Sequence, residues 1–164
     1  MYTHQALPVL FSVFLVITTL INIVVDAASG FPFSLGIRDS IMIAHSFKGE
    51  QFGPAQNIHG ATYTVDVTFR SKNLVPKNNW VIDIGEASTA LSRILSKYNF
   101  KNLDQVFPEG ENTTTEFMCR AIHRDLAAHF CTNRAKSKEE RFKGSICVKL
   151  WESHKAWACY EAIV

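Results

Sequence analysis

The chain has 164 residues, 47% of them hydrophobic, 20% charged and 12% aromatic, with a formal net charge of +2. That length is one domain's worth, and the composition excludes extended disorder and collagen-like or low-complexity design. The charge is too small and too scattered to organise a nucleic-acid surface.

The charge is also unevenly placed. Ala6 to Val25 carries none and is long enough to cross a bilayer as a helix. Val25 and Ala27 have the small-residue spacing of a signal cleavage site, although Met1 to Gln5 lack the usual basic residues. Residues 1–28 therefore read as a signal-like or transmembrane-like leader, and signal peptide, membrane anchor and an extension outside the working protein all stay open. Placement is expected to be cytoplasmic if the leader has no function. Otherwise the chain is exported, organelle-targeted or anchored, with membrane contact only through residues 6–25. Removing residues 1–28 and their one acidic side chain leaves 136 residues with 17 basic and 14 acidic groups, a net +3. Such a body can bury a core, and assembly would add to its stability.

The domain itself is read over 31–164. Ile37, Ile41 and Ile43 alternate with Arg38, Ser40 and Met42, which predicts a first strand ending near His45. Gly49, Gly53 and Pro54 mark 46–57 as a loop. In the second strand Tyr63, Val65, Val67 and Phe69 face one way, and Thr62, Thr64, Asp66 and Thr68 the other. The period then becomes helical. Asp83 with Glu86 has capping-box spacing and opens a helix carrying Ile84, Ala87, Leu91, Ile94, Leu95 and Tyr98 on one face. Thr113 with Glu116 repeats that spacing ahead of Phe117, Ala121, Ile122, Leu126 and Phe130. Residues 132–143 are charged and predict a solvated loop. Two closing strands follow, Ile146–Leu150 and Ala156–Ile163. The order ββααββ implies an α+β fold, an antiparallel sheet with two helices on one face. Cys119, Cys131, Cys147 and Cys159 form no Cys-x-x-Cys pair, which argues against a thiolate zinc site. A Cys147–Cys159 bridge is compatible with a closing hairpin.

Candidate functional residues stand where apolar rows break. His45 continues the row of Ile41 and Ile43, and His59 begins the row of Ala61, Tyr63 and Val65. Antiparallel pairing of their strands brings the two imidazoles to one end of the sheet. That is either a metal site, zinc above all, or a hydrogen-bonded pair. Glu152 and His154 end the row of Ile146, Val148 and Leu150. Glu152 could accept two hydrogen bonds from an NH-rich ligand or lie in water.

These residues, with Ile43-Ala44-His45-Ser46, His59-Gly60-Ala61-Thr62-Tyr63-Thr64-Val65, Lys101-Asn102-Leu103-Asp104, Thr114-Thr115-Glu116 and Trp151-Glu152-Ser153, resemble the 6-pyruvoyltetrahydropterin and 6-carboxytetrahydropterin synthase superfamily. The resemblance implies a tunnelling fold (T-fold) that assembles strand to strand into a homohexamer. It implies a zinc cofactor on His45 and His59. It implies a pterin anchored by Glu152, with Thr114, Thr115 and Glu116 lining the pocket. The implied activity is that of a carbon–oxygen or carbon–carbon lyase on a substrate such as 7,8-dihydroneopterin triphosphate, giving a 6-pyruvoyl- or 6-carboxy-tetrahydropterin, in which zinc acidifies side-chain hydroxyls and a base moves protons.

The sequence departs from the family at three places. Ala61 stands where the third zinc histidine belongs, Phe52 to Gln56 lacks the usual cysteine, and Asn99-Phe100 replaces an Asp-His pair. His154, two residues past Glu152, would share its face if the strand continued, and is the candidate third ligand or catalytic base. Two other functions compete: a non-catalytic pterin- or purine-binding oligomer, and a membrane-tethered interaction module. The sequon Asn112-Thr113-Thr114, which could place a glycan beside the implied pocket, weighs against export.

Overall fold

A computed structural model of the chain describes residues 30–131 and 141–164. The expectations for residues 1–28 and for most of the 132–143 loop fall outside those residues. Among the described residues no helix is long and apolar enough to cross a membrane.

The described residues form five strands and three helices. They are β1 (Phe33–His45), β2 (His59–Ser71), α1 (Ile84–Leu95), β3 (Lys101–Asn102), α2 (Leu103–Val106), α3 (Thr115–Phe130), β4 (Ser145–Trp151) and β5 (Trp157–Ile163). A 3-10 segment, Glu50–Gln56, interrupts the connection between β1 and β2. The sheet runs β3-β1-β2-β4-β5. Pairing is antiparallel throughout, except that β3 lies parallel to β1 at Ile43 and Ala44. The expected antiparallel sheet is present, and β3 adds a short parallel edge to it. Two residues are too few to carry an alternation that the sequence could display.

Alternation decides which face of the sheet is covered. Tyr63, Val65, Val67 and Phe69 of β2 and Ile146, Val148 and Leu150 of β4 are all fully buried. They pack beneath α1, which contributes Ala87, Leu91, Ile94 and Leu95, and α3, which contributes Met118, Ile122, Leu126 and Phe130. Burial of each large side chain contributes about 1.5–3 kcal/mol relative to exposure. At one end Phe69 sits edge-on between Phe130 and Phe142, with ring centroids 5.3 and 5.4 Å away. The other face stays polar: Arg38 pairs with Asp66, which also accepts from Trp151 Nε1 at 2.8 Å.

The helix starts follow capping chemistry. Asp83 accepts from the Glu86 amide at 2.8 Å, as its spacing predicted. The second cap moves by one residue. Thr114, not Thr113, accepts from the amide three residues on, that of Phe117, at 3.3 Å. Thr113 is buried and engaged elsewhere. The cysteine bridge is also corrected. The β4–β5 hairpin forms, but its register sets Cys147 opposite Glu161 and Cys159 opposite Lys149. The two thiols are diagonal neighbours, whose Cα separation is about 7–8 Å, and all four cysteines are free.

Candidate functional site

Register places the two imidazoles first. His45 ends β1 and His59 begins β2, and the two are direct antiparallel partners with ring centroids 4.5 Å apart. His45 is completely buried. Its Nδ1 lies 3.1 Å from both the carbonyl oxygen and Oγ1 of Thr113. A carbonyl only accepts, so the proton belongs on Nδ1 and the lone pair on Nε2, which has no partner. His59 is oriented alike, its Nδ1 2.9 Å from the carbonyl of Asn57. Imidazoles fixed through Nδ1 by backbone carbonyls, with Nε2 free, have the arrangement of metal ligands. Burial, and then the neighbouring His59, hold the His45 pKa below the ordinary 6.5, against the opposing pull of Thr113, Glu152 and Asp104. His45 is accordingly neutral at pH 7. Phe47 closes one wall, 4.6 Å from His45 and 5.5 Å from His59.

The donor set stops at two. Position 61 is alanine, and among the described residues no group of three His, Cys, Asp or Glu side chains is placed to hold a metal ion. The buried, unpartnered Nε2 of His45 fits a zinc ion. Two protein donors would leave the rest of a tetrahedral shell to water or to a ligand's oxygens.

Glu152 follows from the sheet register. Trp151 pairs with Thr64, so the next residue comes level with Tyr63. Thr115 Oγ1 donates to Glu152 Oε2 at 2.8 Å, and Thr115 is itself buried. Three successive threonines thus do three separate jobs: Thr113 orients His45, Thr114 caps α3, and Thr115 orients Glu152. Glu116 is exposed in the first turn of α3 and joins neither contact.

The Lys101-Asn102-Leu103-Asp104 stretch supports the site from below. Asn102 caps α2 through the Asp104 amide at 3.0 Å. Asp104 in turn accepts from the Ser46 amide and hydroxyl, at 3.1 and 2.7 Å, immediately after His45. Asn112 trades two hydrogen bonds with the backbone of Lys48, at 2.6 and 3.0 Å, tying the 3-10 segment's approach to the start of α3. Asn99 and Phe100 clasp the edge of β1. Asn99 Oδ1 accepts from the Met42 amide at 2.9 Å, and the Phe100 amide donates to the Met42 carbonyl at 2.7 Å.

His154 does not reach this cluster. The strand ends at Trp151, and Glu152 to Ala156 form a turn in which the Glu152 and Ser153 amides both donate to the Ala156 carbonyl. The assumed strand spacing therefore fails. His154 lines a shallow hollow with Arg38, Thr64, Trp151 and Ser153, on the polar face of the sheet. Thr113, Asp104, Phe47 and the Tyr63 hydroxyl were given no site role by the sequence: Thr113 reads there as a helix cap, Asp104 and Tyr63 as parts of family-like stretches. Phe47 had a local signal, as an aromatic residue continuing the row beyond His45.

Residues 34–162 match the family model of 6-pyruvoyl tetrahydropterin synthase. No curated protein matches the chain. Among solved structures, the Caenorhabditis elegans 6-pyruvoyl tetrahydropterin synthase is similar, with a TM-score of 0.65 at 21% identity, over 79% of this chain and 95% of that one. The Plasmodium falciparum enzyme of that name gives 0.63 at 14% identity, over 80% and 98%. The Plasmodium vivax enzyme gives 0.63 at 13% identity, over the same shares. Those identities speak for the fold. The family model spans the sheet, all three helices and both ends of the site, and so the chain belongs to the 6-pyruvoyl tetrahydropterin synthase family.

Proposed function

We propose that the chain binds the amidine-like edge of a pterin at Glu152 and acts on the pterin's side chain as a lyase of the tetrahydropterin synthase type. The observation that carries this reading is the Thr115–Glu152 hydrogen bond. It fixes a carboxylate close enough to His45, whose Nε2 is free, for its charge to be felt there. A carboxylate so held can accept two parallel N–H bonds from a planar ligand. A zinc ion on His45 and His59, when bound, would acidify side-chain hydroxyls of the substrate. The chain's own residues would orient the ring at Glu152, keep His45 neutral and wall off water with Phe47. The site is proposed to work within a homohexamer, with 7,8-dihydroneopterin triphosphate as the substrate tested first.

Absence of the family's cysteine does not by itself argue against turnover. Variants of the Plasmodium vivax enzyme are described as altering a catalytic glutamate, so in that protein a carboxylate does chemistry in this fold. A second reading has support in Ala61 and in the Asn99-Phe100 clasp: a pterin- or purine-binding protein without turnover. One experiment separates the two. Zinc content, pterin affinity and lyase turnover are measured for the wild type, Glu152→Ala and His45→Ala. The lyase reading expects turnover in the wild type, at least about 10-fold weaker pterin binding in Glu152→Ala, and loss of zinc and turnover in His45→Ala. Tight pterin binding without zinc or turnover selects the second reading. Unchanged pterin binding in Glu152→Ala overturns both.

A further inference from the structure

Tyr63 is the largest of the fully buried side chains among the described residues and has no role in the reading above. It is fully buried on β2, four residues beyond His59 and on the same row. Its hydroxyl lies near enough to the Thr115 side chain to feel it, yet has no partner at full hydrogen-bond geometry. A buried hydroxyl left without a partner is destabilising, and phenylalanine would fill the same space without that cost. Such a group persists where function uses it. The surroundings say which function. The ring stands edge-on to His45, 6.5 Å between centroids, and the hydroxyl faces Thr115 and Glu152. Burial and the nearby Glu152 charge push its pKa up to about 12, so it remains a protonated donor at every working pH.

Thr115 already donates its only hydroxyl proton to Glu152 and keeps lone pairs to accept with. We propose that Tyr63 is a positioning residue for the bound ring: its hydroxyl closes onto Thr115 Oγ1 when an amidine-bearing heterocycle draws on Glu152, completing a relay from Tyr63 through Thr115 to the carboxylate. Each hydrogen bond in such a chain polarises the next, so the carboxylate is held more firmly in the liganded state than in the free one. The unsatisfied donor of the free protein is then satisfied by ligand binding. This inference rests on the reading of Glu152 as the pterin anchor and adds the residue that orients it.

The test uses the full chain, with 7,8-dihydroneopterin as the probe. Thermal midpoints and dissociation constants are measured for the wild type, Tyr63→Phe, Thr115→Val, the double variant and Glu152→Ala. The inference expects the midpoint of free Tyr63→Phe to be unchanged or raised, by about 2–4 °C, while its affinity for the pterin falls about 5–10-fold. In the Thr115→Val background, Tyr63→Phe should cost no further affinity, because the relay is already broken. A residue with only a packing role would not give higher stability together with weaker binding. Tyr63→Phe affinity within twofold of the wild type, with Glu152→Ala binding lost, overturns this inference alone. So does a lowered midpoint of free Tyr63→Phe, which would mean that the hydroxyl already has its partner. Equal binding by Glu152→Ala and the wild type, or no binding by either, overturns the Glu152 reading and this inference with it.

Discussion

His123 lies on the buried face of α3, 6% exposed, its ring edge-on to Tyr160 at 4.9 Å. Its Nε2 is buried without a partner. Burial holds its pKa below the ordinary 6.5, outweighing hydrogen bonding with the backbone at Ala162 and Ile146. The sign of the pH effect follows. Between the folded and the unfolded pKa, the unfolded chain binds the extra proton. The stability linked to this group is therefore complete above about pH 6.5 and is lost as the pH falls through the lower folded value. Methionine fills the same volume without a titrating nitrogen. The melting midpoint of the wild type should drop more steeply from pH 7 to pH 5 than that of His123→Met. Parallel curves would show that His123 takes up its proton as readily folded as unfolded.

At the scale of elements, two glycines, one just before β4 and one within β1, should respond with opposite signs. Gly144 precedes β4 and exchanges backbone hydrogen bonds with Val164. A Cβ added there would lie 1.9 Å from the Arg70 carbonyl oxygen of β2 and 3.0 Å from the Phe142 ring. Gly144→Ala must push β2 and β4 apart, at a cost of about 1–3 kcal/mol. Gly36 lies within β1, and a Cβ there meets nothing within 4 Å. Gly36→Ala should add about 0.5–1 kcal/mol by restricting the unfolded chain. Urea titration of both variants tests the pair, and a stable Gly144→Ala would mean that the strands part freely at that end. Nothing in the spelling of Lys143-Gly144-Ser145 announces the approach of Arg70. The site shows the same division. His45, His59 and Glu152 were legible because each breaks an apolar row, and Asp83 because a cap acts within three residues. Thr113 was not, since its partner His45 lies 68 residues away. The Tyr63 hydroxyl was hidden because tyrosine in an apolar row reads as core. The two-residue β3 is shorter than any period, and His154 was misplaced by a strand that stops at Trp151.

For the whole molecule the unresolved demand is at the edges of the sheet. Among the described residues no strand pairs with the outer side of β5, and on its outer side β1 is met only by β3, at Ile43 and Ala44. Both edges therefore carry rows of backbone donors and acceptors open to another strand. The β5 edge is apolar as well: Trp157, Tyr160 and Ile163 are 51%, 37% and 77% exposed. Phe33 and Met42 on β1 are 41% and 45% exposed. An edge of this kind either aggregates or pairs with a complementary edge, and β1 of a second copy is the complementary edge that the chain itself supplies. The sheet should then continue from β5 of one copy to β1 of the next and close into a ring. Sedimentation of the chain is expected to give a multiple of the 18.5 kDa single-chain mass. Ile163→Lys should shift the mass toward the single chain. Because Ile163 is mostly exposed in the lone chain, the substitution leaves the core intact, so the midpoint extrapolated to low protein concentration should match the wild type. A wild type that sediments as a single chain would mean that these edges stay open. An Ile163→Lys variant with unchanged mass would place the contact away from the end of β5.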